Sequence, residues 1–205
     1  MKKTKKQKFL KFVAIFLIVV CSLIAASNIT CLIKAEINYK YNVQAWEDYG
    51  YTDIIYDQWD FENIKFGFGN VGANGCGAVS VYNILLLEGR YTPLPEIVHQ
   101  YDMCGENVFG LGGSRPSMVI KTLKKYGFEI SYSFNKTNFE KMAQNAKYAI
   151  HVYFGYDNNF FGHYQLMYNF DGTKFKTINI TGEYTFEEIS SIPNTFFEMM
   201  IVVNY

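Results

Sequence analysis

The spacing of hydrophobic positions changes several times along the chain. Residues 12–26, FVAIFLIVVCSLIAA, form an unbroken apolar run behind Lys2, Lys3, Lys5, Lys6, Lys8 and Lys11. After Cys76, apolar residues at Ala78, Val81, Tyr82, Leu85 and Leu86 recur with a helical period, and Gly89 supplies a stop. TPLPEIVHQYDM reads as a short helix and GENVFGLGGS as a glycine-rich loop. Ser114 is expected to cap a helix with Pro116 in its first turn and Gly127 at its end. FEISYSF alternates as a strand, and Thr137 with Glu140 predicts a capping box for a helix ending near Ala146. YAIHVYF, HYQLMYNF and KFKTINI then read as three strands. Thr185 and Glu188 form a second capping box, and FFEMMIVVNY closes the chain as a strand. Helices first and an antiparallel sheet afterwards predict an α+β domain.

The basic block and apolar run have the form of a secretory leader. Cleavage sites offered are after Ala26, Ser27 or Ala35. An uncleaved helix is the alternative, since with Asn28 and Thr30 tolerated the stretch extends to Ile33 and reaches the ~20 residues of a membrane span. The lysines would then remain on the cytoplasmic side. Both readings divide the chain into residues 1–35, a signal peptide or membrane anchor, and residues 36–205, one exported domain. The protein is expected to be secreted, or extracytoplasmic and held by the uncleaved helix. Formal net charge is zero, which gives no pointer to a nucleic-acid partner. Membrane contact is expected only through the N-terminal segment.

Four cysteines are present. Cys21 and Cys31 lie in or beside the leader, so only Cys76 and Cys104 belong to the domain. Export makes a 76–104 disulfide one reading. The flanks of Cys76 point elsewhere. In NGCGAVSVYN the cysteine opens a helix between Gly75 and Gly77, where unpaired N–H groups and the helix dipole favour a thiolate and offer donors to an oxyanion. A free Cys76 with a lowered pKa is therefore expected, with Cys104 a small dispensable hydrophobe. A thiolate needs a base, and three histidines are available. His99 falls on a helical turn, read as surface. His151 falls in a buried-looking strand. His163 is expected at the start of a strand after the glycine-bearing loop YDNNFFG, the sort of place where catalytic groups are held.

With these motifs in hand, GCGAVSVYNIL, GHYQLMYNFDG and Asn179 in TINI resemble the C39-like branch of the papain-like cysteine peptidases. GLGGSRPSMVIKTLKKYGFEI resembles the turn, helix and strand that these proteins carry between the two motifs, and QWDFENIKFG resembles their entry segment. The resemblance spans roughly residues 55–205. It implies a papain-like fold, with N-terminal helices and the nucleophile at a helix N-terminus packed on a C-terminal antiparallel sheet. It also implies thiol-dependent hydrolysis of an amide bond in a peptide or protein substrate. By the same resemblance Cys76 takes the nucleophile position, His163 the general base and acid, and Asn179 the residue that orients the imidazole. The oxyanion position, usually glutamine, is held by Asn70 at the matching offset, with Asn74 nearer and Gln58 much further away. Ala78-Val79 replaces the common Pro-Thr, and Asn179-Ile180 the common Asp-Pro.

For this triad a three-residue loop, Phe170-Asp171-Gly172 with Gly172 left-handed, is expected, the alternative being a two-residue Asp171-Gly172 turn whose pairing a bulge further along restores. The three-residue loop pairs Asn169 with Thr173 and sets His163 opposite Asn179. A cell-wall peptide amidase, an acyltransferase of the same fold and a non-catalytic binding module are the rival functions. No phosphate loop, zinc spacing or cofactor motif is present, and Asp53, Asp57 and Asp60 lack the glycine and glutamate of a calcium loop. No cofactor or metal is expected.

Overall fold

A computed structural model of the chain describes residues 5–107, 110–157 and 159–204. It opens on one long helix, α1 (Lys5–Tyr49). The apolar part of α1 is exposed, Phe12 at 67% and Leu23 at 66%. From Ala35 onward the helix belongs to the domain. Ala35, Asn38, Asn42 and Trp46 are buried in a stripe along one side, the period of a helix laid on a core. Two of these are hydrogen-bonding clamps. Asn42 gives its amide N–H to the Lys65 carbonyl at 2.8 Å and accepts the Lys65 N–H at 2.7 Å. Asn38 donates to the Gly67 carbonyl at 2.8 Å and to Asp102 at 3.2 Å. Both hold a small hairpin of β1 (Lys65–Phe66) and β2 (Gly69–Asn70).

Next come α2 (Val71–Asn74), α3 (Cys76–Leu87), α4 (Leu94–Cys104) and α5 (Pro116–Lys125). They are followed by β3 (Glu129–Ser133), α6 (Phe139–Gln144), β4 (Tyr148–Asp157) and β5 (Asn159–Tyr168). β6 (Phe175–Ile178), β7 (Gly182–Tyr184), α7 (Phe186–Ser190) and β8 (Thr195–Asn204) complete the chain. Strands β3 to β8 form one antiparallel sheet in the order β3-β8-β4-β5-β6-β7. Ile150, Val152, Tyr164, Leu166, Ile201 and Val203 turn one face of it to α3 and its neighbours. Ala149, Met167, Phe175, Met200 and Val202 turn the other face to Phe139 and Ala143 of α6 and Ile189 of α7. The N-terminal helices thus pack on a C-terminal antiparallel sheet.

α3 is more deeply placed than its apolar stripe predicts: residues 76–85 are all buried. Its polar members are satisfied inside. Ser80 donates back to the Cys76 carbonyl, and Asn83 exchanges two 2.9 Å bonds with the backbone of Ile55. The capping box of Thr185 and Glu188 is present. The one expected at Thr137 and Glu140 is absent, because Asn135 caps a short 3₁₀ turn there instead. α5 starts one residue later than expected, with Arg115 and not Ser114 at its cap position.

Two corrections bear on the site. The β4–β5 pairing runs out to Asp157 opposite Asn159, so His163 lies inside β5 and not at a strand's start. The β5–β6 turn is longer than three residues. Asp171 accepts the N–H groups of Thr173 and Lys174, and the register pairs Tyr168 with Lys176 and Leu166 with Ile178. Gly172 does have a positive φ of 101°. His163 has no partner in β6, which ends at Ile178.

Asn42→Ala would leave both backbone groups of Lys65 without their clamp, a loss of ~2 kcal/mol. The urea midpoint should fall at unchanged slope. An unchanged midpoint would show that the second half of α1 is not part of the folded unit.

Candidate functional site

The cysteine and the glycines around it are held by close packing. α2 runs into α3 through Gly75, whose φ of −87° and ψ of 0° keep the chain nearly helical. A Cβ on Gly75 would lie 2.6 Å from the Val71 carbonyl oxygen, and one on Gly77 would lie 2.8 Å from the Ser114 Cβ. The two glycines flanking Cys76 therefore let α3's first turn sit against α2 and against the end of the glycine loop. Cys76 is free and 5% exposed. Its sulfur faces the backbone N–H groups of Tyr164, of Gly77 and of Cys76 itself.

Tyr164 brings the other parts to this point. Its hydroxyl donates to the Ser114 carbonyl at 2.6 Å, and its own carbonyl accepts the Asn179 side-chain N–H at 3.3 Å. β6 has ended here, so the edge of β5 at Tyr164 is free to receive both α3 and Asn179. Asn179 leaves β6 with a φ of 74°, a left-handed conformation that asparagine tolerates better than most residues. Its backbone carbonyl lies against the His163 ring.

His163 faces Tyr153 across the β4–β5 ladder, with ring centroids 5.7 Å apart. Tyr153 also neighbours Cys76: burial first, and then negative charge on that sulfur, push its hydroxyl up to about 12. Among the described residues no hydrogen bond joins Cys76 to His163. The Nε2 of His163 and the Oδ1 of Asn179 are both buried without a partner.

Burial decides the charges. It pushes the Cys76 thiol up to about 11, although three backbone N–H groups pull the other way. It holds His163 down at about 4, against the Asn179 carbonyl, which favours the protonated ring. The lowered thiol pKa expected from the helix start is thus reversed. At neutral pH the resting pair is a thiol and an uncharged imidazole. An uncharged imidazole is a proton acceptor over the whole range above about pH 5.

Cys76 lies in the wall of a cleft of about 340 Å³. Leu111, Gly112 and Gly113 of the glycine loop form one side, Ala73 and Asn74 the end of α2, and Phe154, Phe160 and Phe196 the far side. The glycine loop is therefore a cleft wall. Of the oxyanion candidates, Asn74 lines the cleft. Asn70 is the cap of α2, its side-chain oxygen accepting the Ala73 N–H at 2.8 Å. Gln58 is committed to the Gly72 carbonyl at 2.6 Å.

None of the three histidines lines the cleft, and neither does Asn179; of the expected triad only Cys76 does. His99 bonds Glu36 at 3.0 Å and stacks on Tyr39, so α1 covers a residue read as surface. His151 is fully buried, with Nε2 3.3 Å from Glu198 and Nδ1 unpartnered. Cys104 ends α4, and its side chain lies outside the described residues. Tyr164 and Ser114 are the site residues that the motifs did not mark as such. The one signal for Tyr164 was its place directly after His163 in GHY. Among the described residues no cluster of metal-ligating side chains is formed.

No family model matches the chain, and no curated protein matches it in sequence. Among solved structures it is similar to the peptidase domain of Streptococcus ComA, a bifunctional ABC transporter involved in a quorum-sensing pathway. The TM-score is 0.46 and the identity 13%, over 63% of this chain and 90% of that one. The same domain of Streptococcus mutans ComA, in complex with a small-molecule inhibitor, matches with a TM-score of 0.34 and 14% identity, over 45% and 76% of the two chains. Overlaps of this size fix neither family nor activity.

The charge state is open to direct measurement. Below its pKa a thiol gains thiolate tenfold per pH unit, and the thiolate is the species alkylated. The rate of iodoacetamide modification at Cys76 should therefore climb steadily from pH 7 through pH 10. A rate already level between pH 5 and 8 would mean a preformed thiolate–imidazolium pair and would contradict the burial argument.

Proposed function

We propose that the chain is an exported thiol hydrolase that cleaves an amide bond in a peptide or protein, with a papain-like fold of the C39-like kind. Cys76 is the nucleophile, His163 the base and acid, and Asn179 the residue that orients the imidazole. One observation carries the reading. A buried cysteine opens a helix in the wall of a cleft, against the strand that holds an uncharged histidine with an unused buried nitrogen.

The chemistry follows from the charge state. As the Cys76 sulfur bonds to the substrate carbonyl carbon, its proton passes to the neutral His163 ring. The imidazolium then gives that proton to the departing amine as the C–N bond breaks, leaving a thioester on Cys76. Water, losing a proton to His163, hydrolyses the thioester and releases the acid. The transient imidazolium needs stabilising in a dry site. The Asn179 backbone carbonyl already lies beside the ring and favours its protonated form, and the unpartnered Nε2 is left to take the proton. The oxyanion falls to the backbone N–H groups at the start of α3 and to Asn74, in preference to Asn70.

Residues 36–205 form the hydrolase unit in this reading, and residues 1–35 the leader or anchor. The continuity of α1 through Ala35 favours the anchor. Phe160, 81% exposed, and Phe196, 67% exposed, stand at the cleft wall and favour a second reading, a module that binds an apolar segment without cutting it.

Incubation with a peptide library, followed by product mass spectrometry, separates the two. Cys76→Ala and His163→Ala should each lower cleavage by ~10³-fold or more, and Asn179→Ala by ~10-fold, with the fold intact. Peptide retention without any product, unchanged in Cys76→Ala, would establish the binding module instead. Transfer of the acyl group to an added amine would mark an acyltransferase, and activity confined to muropeptides a wall amidase.

A further inference from the structure

The cleft has a fixed relation to α1. No residue from 12 to 33 carries a charge. At ~1.5 Å per residue this stretch is ~33 Å long, against ~30 Å for the hydrocarbon core of a bilayer. Its polar members are already satisfied within the helix: Asn28 donates to the Ile24 carbonyl and Thr30 to the Ala26 carbonyl, each at 2.9 Å. A membrane-spanning α1 therefore puts Lys34, the first charge beyond the run, at the outer surface of the bilayer. Ala35 is 1% exposed and already docked. No spacer separates span from domain.

The domain elements at that level carry exposed apolar side chains. The Lys34 ammonium lies 6.0 Å from the Phe68 ring centroid, and Phe68 is 53% exposed. One turn further, Asn38 grips Gly67 and Asp102. Against the same hairpin turn sits Gly110, where a Cβ would lie 2.8 Å from the Gly67 Cα and 2.4 Å from a Glu106 carboxylate oxygen. Leu111, 61% exposed, is the next residue, and it also lines the cleft beside Cys76. Met103 is 40% exposed on α4 between Asp102 and Glu106. Burial first, opposed by the Asn38 and Gly67 bonds, holds Asp102 up at about 6. Burial and the nearby Asp102 hold Glu106 up at about 8.

We infer that the Gly67–Phe68 turn and Leu111 form a bilayer-contacting base, so that the Cys76 cleft opens at the outer membrane surface and takes peptides that lie on or emerge from the lipid. This extends membrane contact beyond the N-terminal segment. The substrate class rests on the hydrolase reading, but the contact surface does not.

The test uses the full-length chain in proteoliposomes containing lipids brominated near the headgroup end of the acyl chain. Phe68→Trp and Leu111→Trp, each with Trp59→Phe, should be quenched at least twofold relative to unbrominated vesicles. Lys174→Trp, beyond the far face of the sheet, should be unaffected. A membrane-tethered peptide should be cut at least tenfold faster than the same soluble peptide, and Phe68→Asp should lower the first rate and spare the second. Unquenched probes at 68 and 111 with α1 inserted would overturn the inference, and so would loss of α1 from the mature protein. Shielding of both positions by a second copy in detergent would overturn it too. Quenching at both sites with no peptide cut would uphold the surface and remove the hydrolase.

Discussion

The site depends on the unpaired edge of one strand at Tyr164. β6 ends early, and the freed backbone of Tyr164 takes up two new partners, the Cys76 sulfur on its N–H and the Asn179 amide on its carbonyl. Its hydroxyl fixes the Ser114 carbonyl at the end of the glycine loop. One residue earlier, His163 stands against Tyr153, which itself neighbours Cys76. A single residue, Tyr164, thus ties helix start, loop and sheet edge into one arrangement. The glycines at 75 and 77 matter for the placement of α3: a Cβ at 75 would meet Val71 of α2, and one at 77 would meet Ser114 and Val119.

The electrostatics of the site are a contest that burial wins. A helix N-terminus favours negative charge by ~0.3–1 kcal/mol, less than one pKa unit, and three backbone N–H groups add to it. Enclosing the thiol among Tyr164, Ser114 and the first turn of α3 works in the opposite direction, where full burial can shift a pKa by ~3–5 units. The result is a thiol held up at about 11 beside an imidazole held down at about 4. In the proposed reaction, two neutral groups suit a proton that moves together with the attacking sulfur. They do not suit one in which a charged pair waits.

Local features were legible in the sequence, and contacts between distant segments were not. α3, α4, β3, β8 and the Thr185–Glu188 capping box are written in short-range periodicity and cap chemistry, and they are present. The α+β order was legible for the same reason. The capping box at Thr137 failed because Asn135, two residues earlier, competes for the same N–H groups. The turn after β5 was misread because Asp171 binds the N–H groups of Thr173 and Lys174 through its side chain and so opens the loop. Asn70 stands at the right offset for an oxyanion donor, yet its side chain caps α2 and it does not line the cleft. The docking of Asn38 and Asn42, on α1, carries no local signal, because their partners Lys65, Gly67 and Asp102 lie far along the chain. The pKa reversal at Cys76 was equally out of reach, since it comes from burial in the packed fold, which the helix start alone does not reveal.

The account's central claim is that Cys76 becomes acylated by substrate with His163 taking its proton. The most direct measurement is the intact mass of the protein quenched in acid during turnover of an activated peptide ester, with the adduct mapped to its residue. The account predicts a single acyl group on Cys76, formed in the native chain and absent when His163 is replaced by alanine at the same pH. An ester consumed at the native rate with no adduct on Cys76, or with the adduct on another residue, would contradict it.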